Sequence, residues 1–212
     1  MTVRGGAGEV AEEASRRQDP VELVQRCAHR GLTIATAESL TAGSLAARIA
    51  DVPGASAVLL GGVVSYSVGV KEEVLEVPGS LLEERGAVDG EVAACMARGA
   101  ARRCRTDIGI ATTGVAGPAS HDGKDVGTVY LGAAVTKDAV ARLGITLPPD
   151  SAPHQIDADW VTGSILLDLA PDAEDVDDMR AHIRSASVEG ALKVLYDLLL
   201  TEPAGMTGSQ EG

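Results

Sequence analysis

The chain has 212 residues, the length of one domain with short extensions, and 45% of them are hydrophobic, enough for a buried core. Its formal net charge is −13, and it has no Phe and a single Trp, Trp160. Because an acidic surface repels polyphosphates and aromatic side chains for base stacking are almost absent, we expect no nucleic-acid partner.

The first predicted elements are a helix and a buried strand. Asp19 and Pro20 are typical of a helix start and Gly31 of a helix end, so residues 1–18 are predicted to form a partly disordered arm. The small and β-branched residues from Thr33 to Ala35 then predict a buried strand.

Polar residues appear abruptly after this strand, at Glu38, Ser39 and Thr41. Leu40, Ser44, Leu45, Arg48 and Ile49 recur at helical spacing, which predicts a helix that begins directly at Ser39. Free N–H groups and the helix dipole at such a position would favour an oxyanion or a phosphate. Most serines at helix starts, however, are only caps.

Further strands and helices alternate along the next hundred residues. Apolar and turn patterns predict, in chain order, a strand at 58–66, short helices at 71–75 and 80–84, a long helix at 89–104, a strand at 107–113 and a flexible loop at 119–125. Residues 126–135 and 139–147 are predicted to pair as a hairpin.

The last third of the chain is predicted to be less regular. Residues 148–175 form an acidic insertion with a possible strand at 165–169, and a helix follows from about Val176 to Leu200. Residues 203–212 are predicted to be a disordered tail, which leaves 19–202 as the folded domain.

This alternation predicts an α/β sandwich, and the late hairpin makes its sheet mixed. In such sheets, functional sites form where strands end and loops gather. Three predicted strand ends have polar groups or small-residue loops: Glu38 with Ser39, the segment 65–71, and the segment 112–118. We expect these three to converge.

A serine nucleophile at this place needs a base. None of the four histidines (His29, His121, His154 and His182) lies at a predicted strand end, and no G-x-S-x-G motif is present, so a Ser-His-Asp hydrolase is disfavoured. Lys71 could act as base if burial lowered its pKa, although a solvated lysine is the commoner case. Tyr66 could relay a proton or be an ordinary amphipathic edge residue.

The glycine-rich loop after the 107–113 strand, TTGVAGP, is a weaker indication. Its glycines expose N–H groups and Thr113 adds a hydroxyl, as in phosphate or oxyanion loops, but the lysine and spacing of a P-loop are missing. No Cys or His spacing indicates zinc, and the acidic cluster at 172–178 is typical of a solvated helix start. We therefore expect no metal and no cofactor.

Three widely spaced cysteines and the absence of an export signal indicate where the protein works. Cys27, Cys95 and Cys104 are predicted to be reduced and buried, and no apolar run approaches membrane-spanning length. A cytoplasmic location without a membrane partner is expected.

Several motifs in sequence order resemble the CinA C-terminal domain family, whose enzymatic members are nicotinamide-nucleotide amidases. The resemblance covers most of residues 21–147 and, more loosely, 178–200. The matching stretches are TIATAESLTAGSLAARIADVPGAS, LLGGVVSYS with Lys71, GAVDGEVAACMARGA, TDIGIATTGVAGP, VGTVYLG and HIRSASVEGAL.

The resemblance implies a three-layer α/β/α sandwich that hydrolyses nicotinamide mononucleotide to nicotinate mononucleotide and ammonia. Ser39 would be the nucleophile, Lys71 its base and Tyr66 a member of the same catalytic group. Thr113, Gly114 and Thr41 would help to bind the substrate. An arginine of the last helix would hold the nucleotide, with Arg184 the first choice and Arg180 the second.

The family also implies a homo-oligomer, and the chain resembles its standalone form without a larger N-terminal domain. The family commonly has Cys, Gly and Asn where this chain has Leu40, Ala42 and Val68. Two alternatives stay open: a noncatalytic relative that binds nucleotides or proteins, and a serine amidohydrolase of another small amide.

Overall fold

The computed structural model describes residues 19–169 and 176–200. Its helices are α1 Pro20–Arg30, α2 Ser44–Ala50, α3 Val68–Glu73, α4 Gly79–Arg85, α5 Gly90–Cys104, α6 Lys137–Leu143 and α7 Val176–Leu199. Its strands are β1 Ile34–Glu38, β2 Leu59–Val64, β3 Ile108–Gly114, β4 Thr128–Thr136, β5 Ala152–His154 and β6 Trp160–Asp168.

The six strands form one mixed sheet in the order β2-β1-β3-β4-β6-β5. β2, β1 and β3 run parallel, whereas β4, β6 and β5 are each antiparallel to the preceding strand in the order. The carboxyl ends of β1, β2 and β3 therefore lie at one edge of the sheet, as the convergence of three polar strand ends predicted.

Helices cover both faces of the sheet, which confirms the predicted three-layer α/β/α sandwich. One apolar core packs α1, α2, α6 and α7 against residues such as Ile34, Ile108 and Leu131. The other packs α5 and the segments around α3 and α4 against small residues, among them Ala35, Ala37 and Ala111.

Helix α5 approaches the sheet so closely that two strand positions have no room for a side chain. A Cβ atom on Gly109 would lie 2.0 Å from the Ala97 carbonyl oxygen, and one on Gly132 would lie 2.0 Å from that of Ala93. Both distances are far below van der Waals contact, so only glycine fits at these two positions.

Two predicted helix starts, those of α1 and α5, are confirmed. Asp19 accepts a hydrogen bond from the Val21 N–H group at the start of α1, with Pro20 as the first helical residue and Gly31 in the left-handed conformation at the end. Asp89 caps α5 in the same way. Three predicted features lie outside the described residues or side chains: the arm at 1–18, the acidic cluster at 172–178 and the tail at 203–212.

The predicted hairpin of residues 126–135 with 139–147 is wrong. Residues Lys137–Leu143 form helix α6, whose start is capped by the Thr136 hydroxyl accepting from the Ala139 N–H group. The neighbour of β4 is instead β6, which pairs with it along nine residues.

The expectation of an irregular segment at 148–175 is also wrong for most of its described part. The strand predicted at 165–169 runs from Trp160 to Asp168, and the three-residue strand β5 pairs with it at the edge of the sheet. This segment therefore completes the sheet.

Candidate active site

A lysine and a serine from different strand ends meet at the carboxyl edge of the parallel strands. The Lys71 Nζ atom lies 3.0 Å from the Ser39 Oγ atom and donates a hydrogen bond of 2.6 Å to the Ser65 carbonyl oxygen. Only 1% of Lys71 is exposed. Burial disfavours the charged amine and lowers the pKa of Lys71 from 10.5 to about 8.

The helix that contains Lys71 is short but firmly attached. Lys71 belongs to the six-residue helix α3, which is capped by the Ser67 hydroxyl. Just beyond the helix, the Glu76 carboxylate meets three arginines of α5: Arg98 at 3.8 Å, Arg102 at 2.7 Å and Arg103 at 3.1 Å. These contacts tie the end of α3 to the longest helix on this face of the sheet.

Ser39 lies in a turn and not at the start of a helix, so that prediction is wrong. Strand β1 ends at Glu38, and helix α2 begins only at Ser44. Between them, Ala42 has a φ of 52°, in the left-handed region that favours glycine. The family that the sequence resembles commonly has glycine at this position.

The N–H groups at the start of α2 are already bound. The Glu38 carboxylate accepts hydrogen bonds from Gly43, Leu45 and Ala46 at 2.8–3.0 Å, and only 1% of Glu38 is exposed. A carboxylate at a helix start is favoured by the dipole and by the free N–H groups. These donors are therefore occupied and not free for a substrate oxyanion.

Arg184 and Thr41 fix the same turn from the other side. The Arg184 guanidinium donates to the Leu40 and Thr41 carbonyl oxygens at 3.0 and 3.2 Å and to the Ser44 hydroxyl at 3.3 Å. The buried Thr41 hydroxyl pairs with that of Thr112 at 2.7 Å. Neither Arg184 nor Thr41 lines the cavity described next, although both were predicted to bind substrate.

A cavity of about 400 Å³ opens above the Ser39–Lys71 pair. Four other predicted site residues line it: Tyr66, Thr113, Gly114 and Arg180. Arg180 donates to the Gly117 carbonyl oxygen at 2.7 Å and to the Tyr66 hydroxyl at 2.9 Å. Arg180, predicted as the second choice, is thus the arginine that faces the cavity.

Tyr66 belongs to the cavity mouth and not to the Ser39–Lys71 hydrogen bonds. It is 59% exposed, and its hydroxyl is the acceptor for Arg180. Thr113 forms part of the wall, where its buried hydroxyl donates to the Ala87 carbonyl oxygen at 2.6 Å. Its oxygen can still accept a hydrogen bond from a ligand.

One cavity residue was missed by the sequence-based reasoning. His121 lines the cavity, although it follows the third strand end by seven residues and no strand end lies beside it. The residues Asp122 and Gly123 form a two-residue turn in which the backbone of His121 pairs with that of Lys124. An Asp-Gly pair is a strong turn indicator and could have revealed an ordered turn in the loop predicted to be flexible.

Three further observations concern metal ligands, cysteines and membrane-spanning helices among the described residues. Among residues 19–169 and 176–200, no three His, Cys, Asp or Glu side chains are grouped so that they could hold a metal ion. Cys27 and Cys95 are buried free thiols, as predicted. Cys104 is also a free thiol but is only half-buried, so its predicted burial is wrong. Within the described ranges, no helix has the length and apolar character needed to span a membrane.

The sequence profile of the CinA C-terminal domain matches residues 18–151, more than half of the chain. The chain belongs to the CinA C-terminal domain family. A putative competence-damage inducible protein of Desulforamulus reducens is 54% identical over 101 residues, which are 48% of this chain and 25% of that protein. The chain spans only about a quarter of the length of this curated relative.

Solved structures of the CinA superfamily share the fold. CihA of Agrobacterium tumefaciens, described as a competence/damage inducible protein, superimposes with a TM-score of 0.65 at 28% identity over 93% of this chain and 99% of that chain. A CinA superfamily protein of Escherichia coli gives a TM-score of 0.65 at 27% identity, over 84% and 87% of the two chains. The sheet and its helical layers are therefore those of the family.

Proposed function

We propose that this protein is an amidohydrolase that converts nicotinamide mononucleotide to nicotinate mononucleotide and ammonia. The observation that supports this most strongly is the 3.0 Å contact between the Ser39 hydroxyl and the buried Lys71 amine. A serine becomes a nucleophile when an adjacent base accepts its proton, and a desolvated lysine can be that base near neutral pH.

In the first half of the reaction, the neutral Lys71 amine takes the hydroxyl proton as the Ser39 Oγ atom attacks the amide carbon. The hydrogen bond to the Ser65 carbonyl oxygen leaves the amine lone pair for this proton. Lys71 then gives the proton to the amide nitrogen, and the carbon–nitrogen bond breaks. Ammonia departs, and the acyl group remains bound to Ser39 as an ester.

In the second half, a water molecule attacks the ester carbon. Lys71 accepts a proton from the water and returns it to the Ser39 Oγ atom as the ester bond breaks. Nicotinate mononucleotide is released and the site returns to its starting state.

The oxyanion of each step needs donors other than those at the start of α2, because Glu38 occupies them. We assign this role to the backbone N–H group of Leu40, since Leu40 follows Ser39 directly and lines the cavity. A preorganised backbone donor of this kind is typical of acyl transfer.

Arg180 is the group that we assign to the nucleotide. It lines the cavity, and its two described hydrogen bonds are to neutral oxygens, so none of these bonds pairs its positive charge with a carboxylate. A guanidinium in this state suits a phosphate.

Ammonia release from nicotinamide mononucleotide tests the proposal. We expect release by the wild type and a loss of at least about a thousandfold in Ser39→Ala, because the nucleophile is removed. Ser56→Ala, at an exposed serine outside the cavity, should behave as the wild type.

The other outcomes identify the alternatives. Release of ammonia only from a different small amide would indicate another amidohydrolase. No release from any amide, with mononucleotide binding retained, would indicate a noncatalytic binding protein. Release that survives Ser39→Ala would exclude Ser39 as the nucleophile.

A further inference from the structure

Among the described residues, the charged side chains that line the cavity are basic, although the protein is strongly acidic. Its charged or titratable lining residues are Lys71, Arg180 and His121, apart from the phenol of Tyr66, and no Asp or Glu of the described residues lines it. The whole chain has a net charge of −13. Because the nearest carboxylate on the strand end, Glu38, is buried and bound to helix N–H groups, it does not offset this charge at the surface of the cavity.

His121 is held at the rim of this cavity by a defined backbone turn. The His121 N–H group donates to the Lys124 carbonyl oxygen at 3.1 Å, and the Lys124 N–H group donates to that of His121 at 2.9 Å. Asp122 and Gly123 between them have φ angles of 48° and 71°, as in a tight hairpin turn. The His121 imidazole therefore extends from a backbone turn of defined conformation.

The turn also lies close to Gly86, which directly precedes two residues of the cavity wall. A Cβ atom on Gly86 would lie 3.0 Å from the Asp122 Oδ2 atom and 3.2 Å from its Cβ atom, and Gly86 has a φ of 75°. Ala87 and Val88, the next two residues, line the cavity themselves. Gly86 thus leaves the room in which the turn fits beside the cavity wall.

The His121 side chain is available to a ligand. It is 65% exposed, and its Nε2 atom lies 3.5 Å from the Asp122 carboxylate. A ring N–H group of this exposed imidazole can donate to a ligand oxygen. An imidazole N–H group and a guanidinium that line the same cavity match an anion with several oxygens, such as a phosphate monoester.

We propose that His121 and Arg180 together bind the phosphate group of the substrate, so that the His121 turn selects a mononucleotide over the nucleoside without phosphate. The inference rests on the proposed function, because it takes the amide of the same ligand to lie at Ser39. It adds a specificity-determining residue that the sequence-based reasoning did not identify.

Calorimetric binding to Ser39→Ala protein tests the inference without turnover. The ligands are nicotinamide mononucleotide and nicotinamide riboside, which differ by the phosphate alone. Adding His121→Gln should raise the Kd for the mononucleotide about five- to tenfold, as expected for the loss of one hydrogen bond, and leave the Kd for the riboside within about twofold. His182→Gln, at an exposed histidine outside the cavity, is the matched control and should change neither.

A second variant moves the turn without altering the imidazole. Gly86→Ala places a methyl group against Asp122 and should cause the same loss for the mononucleotide alone. An equal loss for both ligands, no loss in His121→Gln, or no binding of the mononucleotide would overturn the inference. Tight phosphate-dependent binding with no hydrolysis by the wild type would instead contradict only the proposed function.

Discussion

An amine that is 99% buried beside a serine hydroxyl is the residue-scale feature that matters most in this protein. The sequence predicted that Ser39 and Lys71 would converge, because each follows the end of a parallel strand. It could not predict the burial of Lys71, since most lysines that begin or interrupt a short helix are solvated. Burial depends on tertiary packing: Leu75 and Val77, just beyond the helix of Lys71, lie in a buried cluster with residues of α5.

The lowered pKa of Lys71 predicts how activity changes with pH. Lys71 is charged below about pH 8 and neutral above it, and only the neutral amine can accept the serine proton. We expect kcat/KM for ammonia release to rise about tenfold per pH unit below pH 7 and to level off above about pH 8. A rate that is flat from pH 6 to pH 9 would contradict the assignment of Lys71 as base.

The turn between β1 and α2 is the element whose prediction failed in the most informative way. Helical spacing from Leu40 to Ile49 suggested a helix starting at Ser39, but spacing does not reveal that Glu38 folds back onto the helix start. That carboxylate needs the intervening residues of the turn to reach Gly43, Leu45 and Ala46. The same turn places Ser39 at the cavity.

Glu38→Gln should loosen this element. The amide keeps the size of the side chain but removes the negative charge that the helix dipole favours, and it brings an NH₂ group to three N–H donors. We expect the free energy of unfolding to fall by about 1–2 kcal/mol, measured by urea denaturation. Glu83→Gln, at an exposed position of α4, should change it by less than about 0.5 kcal/mol. Equal stability of the two variants would show that the Glu38 cap contributes nothing.

At the scale of the whole molecule, the layers were predictable but the strand partners were not. Alternating strands and helices indicated an α/β sandwich, and the family resemblance implied its three layers. The mixed sheet was predicted from a hairpin that does not form. The partner of β4 was misassigned because residues 139–147 are adjacent in sequence and apolar, whereas β6 lies more than twenty residues further on. The Thr136 cap was the local indication of a helix that the apolar pattern concealed.

The close packing of α5 on the sheet predicts a large effect of one methyl group. Gly132→Ala would bring a Cβ atom within 2.0 Å of the Ala93 carbonyl oxygen, so the helix and the sheet must separate. We expect a loss of about 3 kcal/mol or more in the free energy of unfolding, as for other overpacked cores. Gly69→Ala, in α3 with nothing within 4 Å of the added atom, should be neutral or stabilising by up to about 1 kcal/mol. A Gly132→Ala protein as stable as the wild type would contradict the observed distance between α5 and β4.

The central claim, that a buried lysine amine activates Ser39, is tested most directly by a serine-reactive fluorophosphonate, which needs no knowledge of the substrate. With peptide mass spectrometry to locate the label, we expect one equivalent on Ser39, at a rate that rises with pH to a plateau above about pH 8. In Lys71→Met, which removes the base, labelling should be at least about a hundredfold slower. Labelling of a different serine, or equal rates in the wild type and Lys71→Met, would contradict the claim.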